Sequence, residues 1–165
     1  MPERRYILSK EIVEKKLLRI AYEIVERNPG EESLVLVGIR DSGYIIASRL
    51  QAILASLFKG KVELIDIKID KKNPHAVILS SELPLNDKVV ILIDDVANTG
   101  RTILYSLKPF LNYYPKKIQT LVLVERTHKR FPIKSDYVGL SISTTLLEHI
   151  MVEIHDGVIE GAYLQ

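Results

Sequence analysis

The chain has no cysteine at all among its 165 residues. Disulfides, thiolate zinc sites and cysteine nucleophiles are therefore excluded, and the lack fits a reducing compartment. It also lacks any apolar run near the ~18 residues needed to span a bilayer. The opening MPERRYILSKEIVEKK has too short an apolar stretch, too soon followed by charge, for a secretory leader. No charge of either sign dominates: the formal net charge is +2, which by itself does not imply nucleic acid. There is no internal repeat, low-complexity tract or linker-like shift in composition. With 47% hydrophobic and 27% charged residues, the expectation is one soluble, cytoplasmic domain over 1–165 with a real apolar core.

What is present alternates. RRYIL (4–8) reads as a short edge strand, and Ser9 can cap the helix after it. Val13, Leu17, Ile20 and Ile24 form a helical stripe that is either core or a dimer seam, and Asn28-Pro29-Gly30 stops it. Leu34-Val35-Leu36-Val37 is continuously apolar, as a strand buried on both faces should be. A helix is expected from Ser42 to Phe58, a half-exposed strand over 62–69, and a short strand over 76–79. Val89-Val90-Ile91-Leu92-Ile93 is the clearest buried strand, followed by a loop and a helix to about Asn112. A buried strand follows at 118–124 and a short strand at 137–140, with a polar, basic loop over 126–135 between them. The tail from 149 to 164 reads as a hairpin turning at Asp156-Gly157. The fold class is α/β: a Rossmann-like parallel sheet with helices on both faces. Ligands of such sheets sit beyond the carboxyl ends of strands, which directs attention to the loops after Val37, Ile93 and Val124.

The segment VVILIDDVANTGRT (89–102) carries the most specific chemistry. An apolar strand ends in Asp94-Asp95, and a turn then opens a helix. The amides of Thr99, Gly100, Arg101 and Thr102 and the helix dipole make an anion site, and Gly100 lets a phosphate approach closely. Two carboxylates beside a phosphate make sense if the ligand offers them hydroxyls, as a ribose 5-phosphate does. A Walker loop is excluded, because after Gly38-Ile39-Arg40-Asp41-Ser42-Gly43 stand Tyr44 and Ile45 where Lys and Ser/Thr are required; no G-x-G-x-x-G exists. The four histidines (His75, His128, His149, His155) show no metal-ligand spacing, though His128 could touch a ligand.

That segment resembles the phosphoribosyl pyrophosphate (PRPP) signature of type I phosphoribosyltransferases. VLVGIRDSGYIIASRL (35–50), LVERTHKRFPIKSDYVGLSISTT (123–145) and LLRIAYEIVERN (17–28) are similar to the pyrimidine operon attenuation protein/uracil phosphoribosyltransferase family. The resemblance implies a five-stranded parallel core with a small hood, and a reaction of PRPP and uracil with Mg²⁺ giving UMP and pyrophosphate. It implies that Asp94 and Asp95 meet the ribose hydroxyls as catalytic groups. Ala97, Asn98, Thr99, Gly100, Arg101 and Thr102 would hold the 5-phosphate, and Arg40, Asp41, Ser42 and Gly43 the pyrophosphate. Lys129, Arg130 and Ile133 would lie near the base, and Lys71 and Lys72 are lid candidates. Mg²⁺ would be held mainly by PRPP. A homodimer or higher homo-oligomer is implied as well.

Some family members bind messenger RNA. Here Arg19 and Arg27 are kept on the first helix, but Leu18 and Tyr22 replace a Thr and a His, and glutamates share the helix, so RNA is the less favoured partner. The chain also departs from the family in carrying Asp41-Ser42-Gly43 for Thr-Arg-Gly, and in a shortened segment over 70–81 where the family has a longer mobile loop.

Overall fold

The computed structural model describes residues 3–74, 76–81 and 84–165; His75 lies outside them. Ser9 closes the N-terminus of α1 (Lys10–Arg27), its hydroxyl accepting from the Ile12 amide at 3.3 Å. The stripe Val13, Leu17, Ile20 and Ile24 is wholly buried within the protomer, so it is core and not a dimer seam. The helix ends at Asn28, whose side-chain amide donates to Ile24 O (2.9 Å) and Gln119 Oε1 (3.0 Å), and Gly30 then turns with φ 72°.

Six strands form the main sheet in the order β4-β3-β2-β5-β6-β7. These are β2 (Ser33–Ile39), β3 (Lys61–Ile69), β4 (Val77–Leu79), β5 (Val89–Ala97), β6 (Lys117–Arg126) and β7 (Tyr137–Ile142). All pair in parallel except β4, an antiparallel edge. Alternation sends Leu34 and Leu36 to one face and Val35 and Val37 to the other, and both faces are covered. Helices α1 and α2 (Ser42–Leu57) pack on the first; α3 (Arg101–Ser106) and a 3-10 turn over Lys108–Asn112 pack on the second. The strand expected near residues 4–8 is β1 (Arg5–Ser9). It does not join the main sheet; it pairs with β9 (Val158–Leu164) beside β8 (Ile150–His155) in a separate three-stranded sheet. The hairpin turns at Asp156 (φ 49°) and Gly157 (φ 75°), the two left-handed residues that a tight two-residue loop requires. Among the described residues, no helix is long and apolar enough to cross a membrane.

Two sequence expectations are corrected. Strand β5 does not end at Ile93 but runs on through Ala97, because Asp94 and Val96 pair with Val122 and Val124 of β6. The helix expected to reach Asn112 stops at Ser106, and the 3-10 turn that follows contains Pro109, which cannot supply the amide an α-helix needs there.

The sheet order reverses between β2 and β5, so the loops leaving these strands diverge and open a crevice. Gly43 allows it to form: a Cβ on this residue would lie 2.5 Å from the Ile93 carbonyl oxygen. Gly43→Ala must push α2 off β5. The expected loss is about 2 kcal/mol, which thermal unfolding would register as a fall of about 4–8 °C.

Candidate active site

The continued strand fixes how the two carboxylates point. Successive side chains of β5 alternate faces, so Asp94 follows Val90 and Leu92 while Asp95 follows Ile91 and Ile93. Each therefore has a different nearest side-chain partner. Asp95 Oδ2 accepts from the Ser42 hydroxyl at 2.7 Å, at the start of α2. Asp94, 1% exposed, faces Lys71, whose Nζ lies 3.3 Å from Asp94 Oδ1 and 3.9 Å from Asp95 Oδ1. Burial, reinforced by the neighbouring Asp95 charge, pushes the Asp94 carboxyl up to about 8, and Lys71 pulls the other way. Burial also works against the Lys71 charge, but Asp94, Asp95 and Asp41 outweigh it and hold its pKa above the usual lysine value.

After Ala97 the chain turns through Asn98-Thr99-Gly100. Gly100 has φ 87°, and a Cβ there would sit 3.2 Å from Ile133 Cβ. Helix α3 begins here, so its first amides have no acceptor four residues back; that of Arg101 is turned onto Thr99 Oγ1 at 3.3 Å. With only six residues, α3 contributes little dipole, and the anion-binding capacity rests on the loop amides and hydroxyls. A pocket of about 370 Å³ opens over this turn, walled by Lys71, by Asp94 through Ile103, and by Ile150, Met151 and Val152 of β8. Acid pair, amide cradle and apolar wall thus share one cavity, able to take hydroxyls, a phosphate and a flat apolar group.

The remaining candidates divide. Arg40 pairs with the buried Asp66 of β3, and its amide donates to Ile67 O at 2.9 Å. This ties the loop Arg40–Gly43 to the sheet; the Arg40–Asp41 peptide is cis. Of the two lid lysines only Lys71 lines the pocket. The Arg101 guanidinium straps their segment down, donating to Lys71 O at 2.7 Å and Lys72 O at 3.3 Å. Lys129 and Arg130 do not line this pocket; they line a neighbouring one, joined to it by Asn98 and Thr99. Ile133 packs beneath Gly100. The β8 wall and the Arg40–Asp66 pair had no sequence signal: an alternating hairpin strand and an aspartate within VELIDIKI say nothing about distant partners.

Comparison with known proteins bears on this geometry. The family model described as "Phosphoribosyl transferase domain" matches residues 5–157. A protein from Clostridioides difficile (strain 630) named "Bifunctional protein PyrR" is 38% identical over 164 residues, 93% of each chain. The protein of the same name from Bacillus cereus (strain AH820) is 35% identical over 168 residues, covering 94% of this chain and 93% of its own. Among solved structures, a hypoxanthine phosphoribosyltransferase of Trypanosoma cruzi superposes with TM-score 0.79 at 17% identity, covering 97% of this chain and 95% of that one. A hypoxanthine-guanine phosphoribosyltransferase from Bacillus anthracis gives TM-score 0.70 at 21% identity, covering 86% and 84%. The two structures share the fold.

Proposed function

Because this chain belongs to the phosphoribosyl transferase family, we propose that it transfers the 5-phosphoribosyl group of PRPP to uracil, giving UMP and pyrophosphate in the cytoplasm. The observation that carries this reading is the shared cavity of the Asp94–Asp95 pair and the Ala97–Thr102 turn. The turn takes the 5-phosphate. Asp94 and Asp95 accept from the ribose 2′ and 3′ hydroxyls and offset positive charge growing at the anomeric carbon as pyrophosphate departs. The loop Arg40–Gly43 and Lys71 receive the pyrophosphate. The base ring lies between Val96 and the β8 wall of Ile150, Met151 and Val152; its ring nitrogen bonds the anomeric carbon as the C–O bond to pyrophosphate breaks, and the N–H proton passes to the departing pyrophosphate. Lys129 and Arg130, which the resemblance puts close to the base or PRPP, line the adjoining pocket that shares Asn98 and Thr99 with the first.

Among the described residues no cluster of three or more His, Asp or Glu could hold a metal ion by itself. Mg²⁺ would be carried chiefly by the oxygens of PRPP, with Asp94 and Asp95 the protein carboxylates beside it. The ion would neutralise charge on the departing pyrophosphate; the chain's own part is positioning and charge complementarity.

Lys71 then has two tasks, balancing the acid pair when the site is empty and meeting the pyrophosphate when it is full. Lys71→Met is expected to lower kcat/KM for PRPP by about tenfold and to move the rise of activity with pH upward, since Asp94 loses the cation that opposes its protonation. Steady-state kinetics from pH 6 to 9 check both. The activity itself is tested by pyrophosphate release with PRPP, Mg²⁺ and a panel of nucleobases. Signal with uracil alone supports the reading, signal with a purine alone replaces the acceptor, and silence with every base overturns catalysis.

The family resemblance also implies a second role for some members, RNA binding. The α1 arginines speak against it. Arg19 donates to the Val138 and Gly139 carbonyls (2.9 and 3.1 Å) and to Glu23 (2.6 Å). Arg27 donates to Asp136 O (2.7 Å) and lies over the Tyr137 ring. Both are spent on the open edge of β7, while Leu18 and Tyr22 are exposed beside them. RNA affinity is expected in the non-specific range, Kd of roughly 10⁻⁴ to 10⁻⁶ M at physiological salt. Nanomolar binding in a filter assay would contradict this.

A further inference from the structure

Asp66 is a buried carboxylate that the proposed reaction leaves unused. It lies in β3 between the buried Ile65 and Ile67, opposite Gly38 of β2, with its side chain 7% exposed. A charge in such a place is costly unless it is paired. Its partner is Arg40, whose Nε donates to Asp66 Oδ2. The two terminal nitrogens of Arg40 have no acceptor among the described residues, and its side chain is 46% exposed. One side of the guanidinium is therefore anchored and the other is open.

Arg40 is the sole cation in the sequence of the loop Arg40–Gly43, and Asp41 beside it carries the wrong sign for a polyanion. Arginine is among the most mobile side chains, and fixing it on a ligand weakens binding. Strand β3 removes part of that freedom in advance. The Arg40 amide donates to Ile67 O at 2.9 Å, and the guanidinium is held by the residue next to Ile67. The anchor is itself fixed through its main chain. The Asp66 amide donates to the Ser80 hydroxyl at 3.0 Å, and the Asp66 carbonyl accepts from the Ser80 amide at 2.9 Å. Neither bond uses the carboxylate, which is left to Arg40.

We propose that Asp66 is a positioning residue, holding the Arg40 guanidinium by Nε so that its terminal nitrogens are free to receive the pyrophosphate of PRPP. This rests on the reading that the loop Arg40–Gly43 meets the pyrophosphate. Asp66 itself touches no substrate and acts through Arg40.

The test compares PRPP with ribose 5-phosphate, which lacks the pyrophosphate, by calorimetry on the full chain with Mg²⁺. Asp66→Ala leaves no charge stranded, because Arg40 is half exposed and can turn to water, and the bonds to Ser80 remain. It is expected to weaken PRPP about five- to tenfold and to leave ribose 5-phosphate unchanged. Asp66→Asn keeps an oxygen for Nε and is expected to recover most of the PRPP affinity. In an Arg40→Met background, Asp66→Ala should add nothing, since the two act as one unit. Tighter PRPP binding in either Asp66 variant would show that the carboxylate only opposes the charge of the ligand. Equal losses for both ligands would show that it only supports the fold, and additive losses would separate it from Arg40. Each of these overturns the proposal. A wild type that binds the two ligands equally well removes the pyrophosphate contact, and the proposal with it, while the sugar-phosphate cradle stands. A wild type that binds neither defeats the proposed function as well.

Discussion

Asp94→Asn and Asp95→Asn are each expected to lower kcat/KM for PRPP by about a hundredfold without unfolding the protein. An amide keeps the size of the carboxylate but removes the charge that accepts from the ribose hydroxyls and faces the developing cation. The two variants should differ in pH dependence. Folding raises the Asp94 pKa to about 8 through burial and the charge of Asp95, so in the wild type the carboxylate is lost to protonation below that value. Activity should therefore climb with pH up to about 8, and Asp94→Asn should flatten that climb. Stability should run the other way. An acid whose pKa is higher folded than unfolded binds more protons when folded, so the wild type loses stability as pH rises from the unfolded value, about 4, towards 8. Asp94→Asn should thus melt above the wild type at pH 8 and lose that advantage at pH 4. Paired melting curves at the two pH values decide the point, and a variant less stable at both would contradict it.

Gly100→Val is expected to cost about a hundredfold in PRPP affinity, the scale on which a displacement of about 1 Å is felt. Its φ of 87° belongs to the left-handed region, where a β-branched residue is an outlier, and the added Cβ meets Ile133 Cβ at 3.2 Å. The turn must therefore move, and with it the amides that face the phosphate. The damage should stay local, since Gly100 lies outside β5 and caps only a six-residue helix. Melting temperature should fall by a few degrees while PRPP binding collapses. Binding preserved in a folded Gly100→Val would show that the turn does not grip the phosphate.

Most of the framework was legible from local pattern. The α1 stripe, the Ser9 cap and the apolar runs of β2 and β5 carry their own periodicity, and burial follows it. Elements decided by distant partners were harder to read. Aspartate is disfavoured in strands, so the run Asp94–Ala97 reads as loop, yet its ladder to Val122 and Val124 keeps it extended. That extension sends the two carboxylates to opposite faces, which the adjacent letters DD do not convey. RRYIL reads correctly as a strand but says nothing about its sheet; that depends on β9, more than 150 residues away. Lys129 and Arg130 were associated with the base through family likeness; the loop position that brings them to the pocket beside Asn98 and Thr99 depends on the Arg130 and Phe131 amides bonding Thr99 O, which no local pattern announces. The β8 wall of the cavity exists only once the small sheet has folded over the main one.

Calorimetric titration of PRPP with Mg²⁺ into the wild type and the Asp94→Asn/Asp95→Asn double variant tests the central claim most directly. The account predicts one saturable site per chain in the wild type and an affinity at least tenfold weaker in the double variant. No heat with the wild type, or equal affinity in the two proteins, would contradict it.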